Sequence, residues 1–141
     1  MKKDLLFLDA NVLFSTAYRE ASGLLRFWEL THVELISSLY AIEEAKRNLA
    51  SHQQERLKEI LKGVREIDCC YERIILPKAI KINAKDEPIL KAAISAKANF
   101  LITGDMKDFG KFYGESIEGV LILPPAAYLN SKTIIQTIIQ T

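Results

Sequence analysis

The sequence predicts an α/β fold, with a parallel sheet covered by helices on both faces. Two observations carry this. Short apolar runs of strand length alternate with longer stretches whose apolar residues recur at helical spacing, and right-handed crossovers between parallel strands place such helices on either face. Two of the runs also end alike: Leu5-Leu6-Phe7-Leu8 stops at Asp9, and Phe100-Leu101-Ile102 stops at Thr103-Gly104-Asp105. Ligands of open α/β sheets bind outside the carboxyl ends of the strands, so both acids are delivered to one working edge.

The bulk numbers fit a single domain over residues 1–141. Hydrophobic residues at 49% and charged residues at 26% describe an ordinary globular chain rather than a disordered or fibrous one. No apolar run reaches the roughly 18 residues of a membrane span. Met1-Lys2-Lys3-Asp4 leads into an apolar strand too short for a secretory signal, so no membrane partner and a cytoplasmic location are expected. Cys69 and Cys70 are adjacent, which suits neither a spaced zinc pair nor a typical disulfide; both are expected to be structural. The net charge of +1 hides an asymmetry: set aside Asp9, Glu44, Asp86, Asp105 and Asp108, and 13 of the 18 acids remain against 19 bases. An acidic cleft in a basic body suits a metal centre working on a polyanion, although evenly mixed surface charge would give the same count.

After the first strand, Asn11 to Tyr18 reads as a short helix that Asp9 or Asn11 is able to cap. Ser22 opens a second helix, with Leu24, Leu25, Phe27, Trp28 and Leu30 as a broad apolar side. Val33 to Ser37 returns to a strand. Ser37 and Ser38 cap a helix from Leu39 to about Ala50, whose core face is Ala41, Ile42, Ala45 and Leu49. At about 100° per residue, Glu44 lies nearer that face than Glu43 and is the better candidate for a half-buried role. His52 to Val64 forms a charged amphipathic helix with Leu57, Ile60, Leu61 and Val64 inward. Ile67 to Cys70 and Ile74 to Leu76 are either short strands or extended connectors.

Lys85-Asp86-Glu87-Pro88 is a helix start: an acid able to cap, acids at the positive end of the dipole, and proline in the first turn. That helix runs to about Lys97, and its small residues Ala92, Ala93, Ser95, Ala96 and Ala98 allow close approach to a sheet. Phe100 to Ile102 and Val120 to Leu123 are the remaining strands, the latter closed by Pro124-Pro125. The tail from Thr133 to Thr141 is either a terminal helix or a mobile end.

Singly, each acid has an ordinary explanation: Asp9 and Asp86 as helix caps, Glu44 as a solvated helix residue, Asp105 and Asp108 as turn formers. Together they say more. Asp9, Asp86 and Asp105 fall at one edge of the sheet, and Asp108 follows Asp105 within a turn. Carboxylates crowded into one cleft raise one another's pKa unless a cation neutralises them. Oxygen-only ligation, with no Cys or His nearby, points to Mg²⁺ or Mn²⁺ rather than Zn²⁺. Hydrolysis of a phosphodiester is the chemistry that best needs such a set.

Leu8-Asp9-Ala10-Asn11-Val12-Leu13, Ile42-Glu43-Glu44-Ala45-Lys46-Arg47-Asn48-Leu49, Asp86 through Ala93 and Leu101-Ile102-Thr103-Gly104-Asp105-Met106-Lys107-Asp108-Phe109, in this order and spacing, resemble a PIN-domain ribonuclease. The ending Val120-Leu121-Ile122-Leu123-Pro124 with Tyr128-Leu129 fits the same pattern. The resemblance implies a three-layer α/β/α sandwich and a metal-dependent endonuclease acting on RNA. It implies Asp9, Glu44, Asp86 and Asp105 as the catalytic, metal-binding acids, Asp108 as a further acid of the metal site, and Asn11 or Thr103 as supporting groups that hold carboxylates in place. Many small members are toxins of toxin–antitoxin pairs and many are dimers, so an antitoxin and a homodimer enter as partners, though no feature of this sequence marks either.

Other residues read plainly. Lys46, Arg47, Lys107 and Lys111 flank the acids, and either hold RNA phosphates or are ordinary solvated charge. His32 and His52 lie in polar surroundings far from the acids and are not expected to be ligands. Phe27 and Trp28 are core or a dimer contact rather than a base-stacking platform. One rival reading is a catalytically idle relative that binds RNA or a protein. Another is an aspartate-phosphorylating protein, but a haloacid-dehalogenase-like phosphatase wants an acid where Asn11 stands, and a receiver domain wants a lysine where Pro124-Pro125 stand.

Overall fold

The computed structural model describes residues 3–67 and 73–131. Its strands are β1 (Asp4–Leu8), β2 (Val33–Ser38), β3 (Val64–Ile67), β4 (Phe100–Ile102), β5 (Ser116–Ile117) and β6 (Val120–Leu123), joined in one sheet of order β3-β2-β1-β4-β6-β5. All neighbours are parallel except β5 and β6, which form an antiparallel hairpin at one edge. The hairpin turn places Glu118 and Gly119 at φ 50° and 87°. Glycine takes that conformation without steric cost.

Central β1 shows why the sheet is covered on both faces. Leu6, Phe7 and Leu8 are consecutive, point alternately to opposite sides, and are all fully buried. Ile36, Leu101, Ile102 and Ile122 extend the same core across the neighbouring strands. The register pairs Leu8 with Ile102, so the chain leaves β1 and β4 side by side, at Asp9 and Thr103.

The helices are α1 (Ala10–Tyr18), α2 (Arg26–Glu29), α3 (Leu39–Arg47), α4 (Ser51–Leu61), α5 (Glu87–Ser95) and α6 (Met106–Phe109), and a seventh, α7, occupies 125–131. Asp9 caps α1 and Ser38 caps α3 through side-chain oxygens, as their positions suggest. The stretch after Ser22 is less regular than expected, a 3-10 turn at Gly23–Leu25 followed by the single turn of α2.

Two helices stop short of their sequence pattern. The stretch from Leu39 does not reach Ala50, because Asn48 ends α3 and the Gln53 side chain accepts the Ala50 N–H to start α4. Nor is Val64 helical: it pairs with Leu35 as the first residue of β3. Ile67 completes that strand, Ile74 to Leu76 has no regular structure, and Cys69, Cys70 and the tail from Thr133 lie outside the described residues.

The turn between α4 and β3 depends on Gly63. The Trp28 indole N–H donates to the Ile60 carbonyl at 2.8 Å, which presses the ring against the glycine. A Cβ at position 63 would meet Trp28 Cδ1 at 2.8 Å. We therefore expect Gly63→Ala to destabilise the protein by about 1–3 kcal/mol, the usual cost of overpacking. Urea denaturation followed by the fluorescence of Trp28, the sole tryptophan, measures this. An unchanged midpoint would mean that the ring swings away at no cost.

Candidate metal centre

The end of β1 and the end of β4 are tied by side chains. Thr103, fully buried, donates its hydroxyl to Asp9 Oδ2 at 2.8 Å. The Asn11 amide donates to the same oxygen at 3.1 Å, while Asp9 Oδ1 accepts the Ala10 N–H at 2.6 Å. The network continues into the chain after β4: the Asp105 N–H donates to Thr103 Oγ1 at 3.1 Å, and the Gly104 N–H donates to Asn11 Oδ1 at 2.8 Å. Asn11 and Thr103 thus both hold the loop that carries Asp105 against the start of α1. Tyr113 closes it from outside, donating its hydroxyl to the Thr103 carbonyl at 2.8 Å.

Asp105 caps α6 by accepting the Asp108 N–H at 3.1 Å, which places Asp108 beside it. Asp86 arrives from the turn before α5. The sequence suggests a helix cap there, but the Asp86 side chain makes no capping hydrogen bond. Instead the carboxylate turns inward, 7% exposed, and its Oδ2 is buried with no hydrogen-bond partner among the described residues. An unpaired buried oxygen costs free energy, so its placement calls for a ligand.

Asp86, Asp105 and Asp108 can each present an oxygen within 4.8 Å of the others. Asp9 stands outside that trio but shares with Asp86 and Asp105 a cleft of about 400 Å³, lined also by Asn11, Glu44, Phe14, Asn48 and Lys85. Of the adjacent glutamates, Glu44 lines the cleft and Glu43 is exposed. Lys46, Arg47 and Lys107 are exposed and none lines it. Sequence reasoning missed Lys85, the cation that does; the signal was its place directly before Asp86 in the helix-start signature. Its ammonium lies 4.0 Å from Asp108, a loose and solvated contact worth little to stability.

The electrostatics follow from this crowding. Burial pushes the Asp9 carboxyl up to about 6, against the pull of its bonds from Thr103 and Ala10, and Asp105 and Glu44 add to the rise. Asp86 goes to about 7, first through burial, then through the approach of the Asp108 side chain, which favours a shared proton, and the charges of Asp108, Asp105 and Asp9. Burial, with the charges of Asp105 and Asp9, also raises the Tyr113 phenol, which keeps its proton for the Thr103 carbonyl. The donor set fits a hard divalent cation: the trio is all carboxylate, one oxygen is unsatisfied, and two acids are held in a state that a positive charge would relieve.

Comparison with known proteins bears on the same elements. A solved structure of VapBC2 from Rickettsia felis bound to a DNA fragment from their promoter contains a chain of similar fold, with a TM-score of 0.62 at 18% identity over 85% of this chain and 98% of that chain. No curated protein matches in sequence. The family model of the PIN domain matches residues 6–107, from β1 through Lys107 of α6, and so takes in Asp9, Glu44, Asp86 and Asp105. With that match over well more than half of its length, the chain belongs to the PIN-domain family.

Proposed function

We propose that this chain is an endoribonuclease dependent on Mg²⁺ or Mn²⁺, with Asp86, Asp105 and Asp108 as the core of the metal site and Asp9 and Glu44 as further acids of the same cleft. The observation that carries this is the Asp86 carboxylate, buried beside Asp105 and Asp108 with an oxygen that no donor among the described residues satisfies. A bound divalent ion would supply a water of lowered pKa and charge neutralisation at the phosphate. The protein's own part is positioning. Thr103, Asn11 and the Ala10 N–H fix both oxygens of Asp9, which leaves that carboxylate poorly placed to act as a phosphorylated nucleophile. Lys85 at the cleft is suited to a substrate phosphate. Lys46, Arg47 and Lys107 would serve a polyanion only outside the cleft.

Membership of the PIN-domain family supports RNA as the substrate. The fold shared with a chain of the Rickettsia felis VapBC2 complex supports, in addition, a toxin whose cleft an antitoxin protein covers.

Purified protein given a mixed RNA pool should cleave it with Mg²⁺ or Mn²⁺ and not with chelator. Asp105→Asn, Asp86→Asn and Glu44→Gln should each lower the rate by more than about 100-fold, beyond the usual effect of outer-shell changes. Glu43→Gln should cost little, and Lys85→Ala should raise KM more than it lowers kcat. Equal cleavage by wild type and the Asp105→Asn protein would point to a contaminant and remove the enzyme reading.

Stability offers a test that needs no substrate. Asp9 and Asp86 have folded-state pKa values raised from 3.8 to about 6 and about 7. Stability from a raised pKa is present below the unfolded value and is lost as pH climbs through the folded one. In chelator, the melting midpoint should therefore fall between pH 4 and pH 8; for Asp9 alone, a shift of this size corresponds to on the order of 3 kcal/mol. Asp86→Asn should melt higher than wild type at pH 8 in chelator, and millimolar Mg²⁺ should raise the wild-type midpoint more than the mutant's. Superimposable pH profiles for the two proteins, with and without Mg²⁺, would sink the shared metal cleft.

A further inference from the structure

Asp9 sits at a strand end, where the sheet fixes it. Asp86 and Asp105 do not: each lies in a connection just before a helix, in a turn ahead of α5 and in the short link from β4 to α6. Two like-charged carboxylates in such links would move apart unless something anchors the backbone beside them. Asn11 and Thr103 accept the N–H groups of Gly104 and Asp105, and the Asn83 carbonyl accepts the Asp86 N–H; in both links a tyrosine hydroxyl adds an anchor on the carbonyl side. Tyr40, from α3, donates to the Lys85 carbonyl at 2.7 Å, and that carbonyl belongs to the peptide bond leading directly into Asp86. Tyr113 donates to the Thr103 carbonyl at 2.8 Å, in the peptide bond before Gly104, one residue ahead of Asp105. Among the described residues neither carbonyl accepts a backbone N–H, so each phenol supplies the bond that regular structure would otherwise provide. The two rings reach the site from different elements, α3 and the segment after α6, and so brace the links that carry its two acids from separate parts of the fold.

We infer that Tyr40 and Tyr113 are positioning residues of the metal centre, which hold Asp86 and Asp105 together against their mutual repulsion by anchoring the carbonyls beside them. The inference rests on the metal-dependent reading of the cleft, but its test reads cation binding directly.

Tyr40→Phe and Tyr113→Phe keep the rings and remove only the hydroxyls. Tyr128→Phe is the control: its hydroxyl makes an equally short bond, 2.8 Å to Asp4, at the opposite end of β1 from the cleft. Mn²⁺ binding is measured by the loss of the free-ion paramagnetic resonance signal, well below each protein's melting midpoint. The expected result is Mn²⁺ affinity weakened roughly two- to tenfold in each site variant, the range that one hydrogen bond spans, and unchanged in Tyr128→Phe. RNA cleavage by the site variants should fall at low Mn²⁺ and recover at high Mn²⁺, with KM for RNA unaltered; a merely structural role would lower the midpoint and leave the Mn²⁺ dependence where it was. Wild-type affinity in both site variants, or equal weakening in Tyr128→Phe, overturns the inference. A wild type that binds Mn²⁺ but cuts no RNA would remove the nuclease reading and leave this comparison to stand, whereas a wild type that binds no Mn²⁺ would overturn both.

Discussion

Everything at the working edge of this sheet depends on holding carboxylates closer than their charges favour. The hydrogen bond from Thr103 to Asp9 is where that begins, because it joins the ends of the two central strands through a pair of buried side chains. A buried carboxylate that accepts well-placed donors can stay charged; one that accepts none is driven towards its neutral form. Asp9 and Asp86 illustrate the two cases. Both are buried, but Asp9 has three donors that partly offset its burial, while Asp86 has an oxygen with none among the described residues and is raised by burial and by the neighbouring Asp108, Asp105 and Asp9. The cleft is thus graded, with a satisfied acid on the rigid strand and an unsatisfied one on a turn. In the proposed metal centre, that unsatisfied acid is where a cation would act.

Much of this was legible in the sequence, for physical reasons that differ by element. The central strands could be read because burial on both faces demands continuous apolar runs, and Leu5 to Leu8 and Phe100 to Ile102 have no other use. Asp9 and Asp105 could be placed because a strand that ends in a turn must point the next side chain at the sheet edge. The choice of Glu44 over Glu43 as the cleft-facing residue came from helical geometry alone. What could not be read was set by tertiary contacts. Strand β5 is two residues long and exists by pairing with β6. Val64 fits the helical period, but its place beside Leu35 makes it a strand residue. The break between α3 and α4 falls slightly earlier than the expected helix end near Ala50, since Asn48 ends α3 and the Gln53 side chain accepts the Ala50 N–H at the start of α4, a local bond that apolar spacing does not reveal.

The site shows the same division. Acids could be proposed because strand ends and helix starts have sequence signatures, and Asp86 does line the cleft although its side chain makes no capping bond. Bases were harder. Lys46, Arg47 and Lys107 adjoin acids along the chain, but a helix sends neighbouring residues in different directions, and these three point to solvent. Lys85 precedes its acid in a turn rather than a helix, and there adjacency in sequence does become adjacency in space. The tyrosines at 40 and 113 had no signal at all, since each acts on a carbonyl remote in sequence or across a loop.

This arrangement also explains how a small fold can carry a costly site. Crowded acids reduce the stability of the empty protein, and in the proposed metal centre the same free energy would return on binding a cation, because ligands stabilise only the state that holds them. A site that relaxed fully in the empty protein would bind weakly. Rigidity therefore has to come from outside the acids. The paired ends of β1 and β4 provide it for Asp9, and side-chain bonds from α1, α3 and the segment after α6 extend it to the turns that carry Asp86 and Asp105. In the proposed enzyme, stability lost at the cleft and affinity for the ion are one quantity seen from two sides, and the surrounding hydrogen bonds set how much of it the fold can hold.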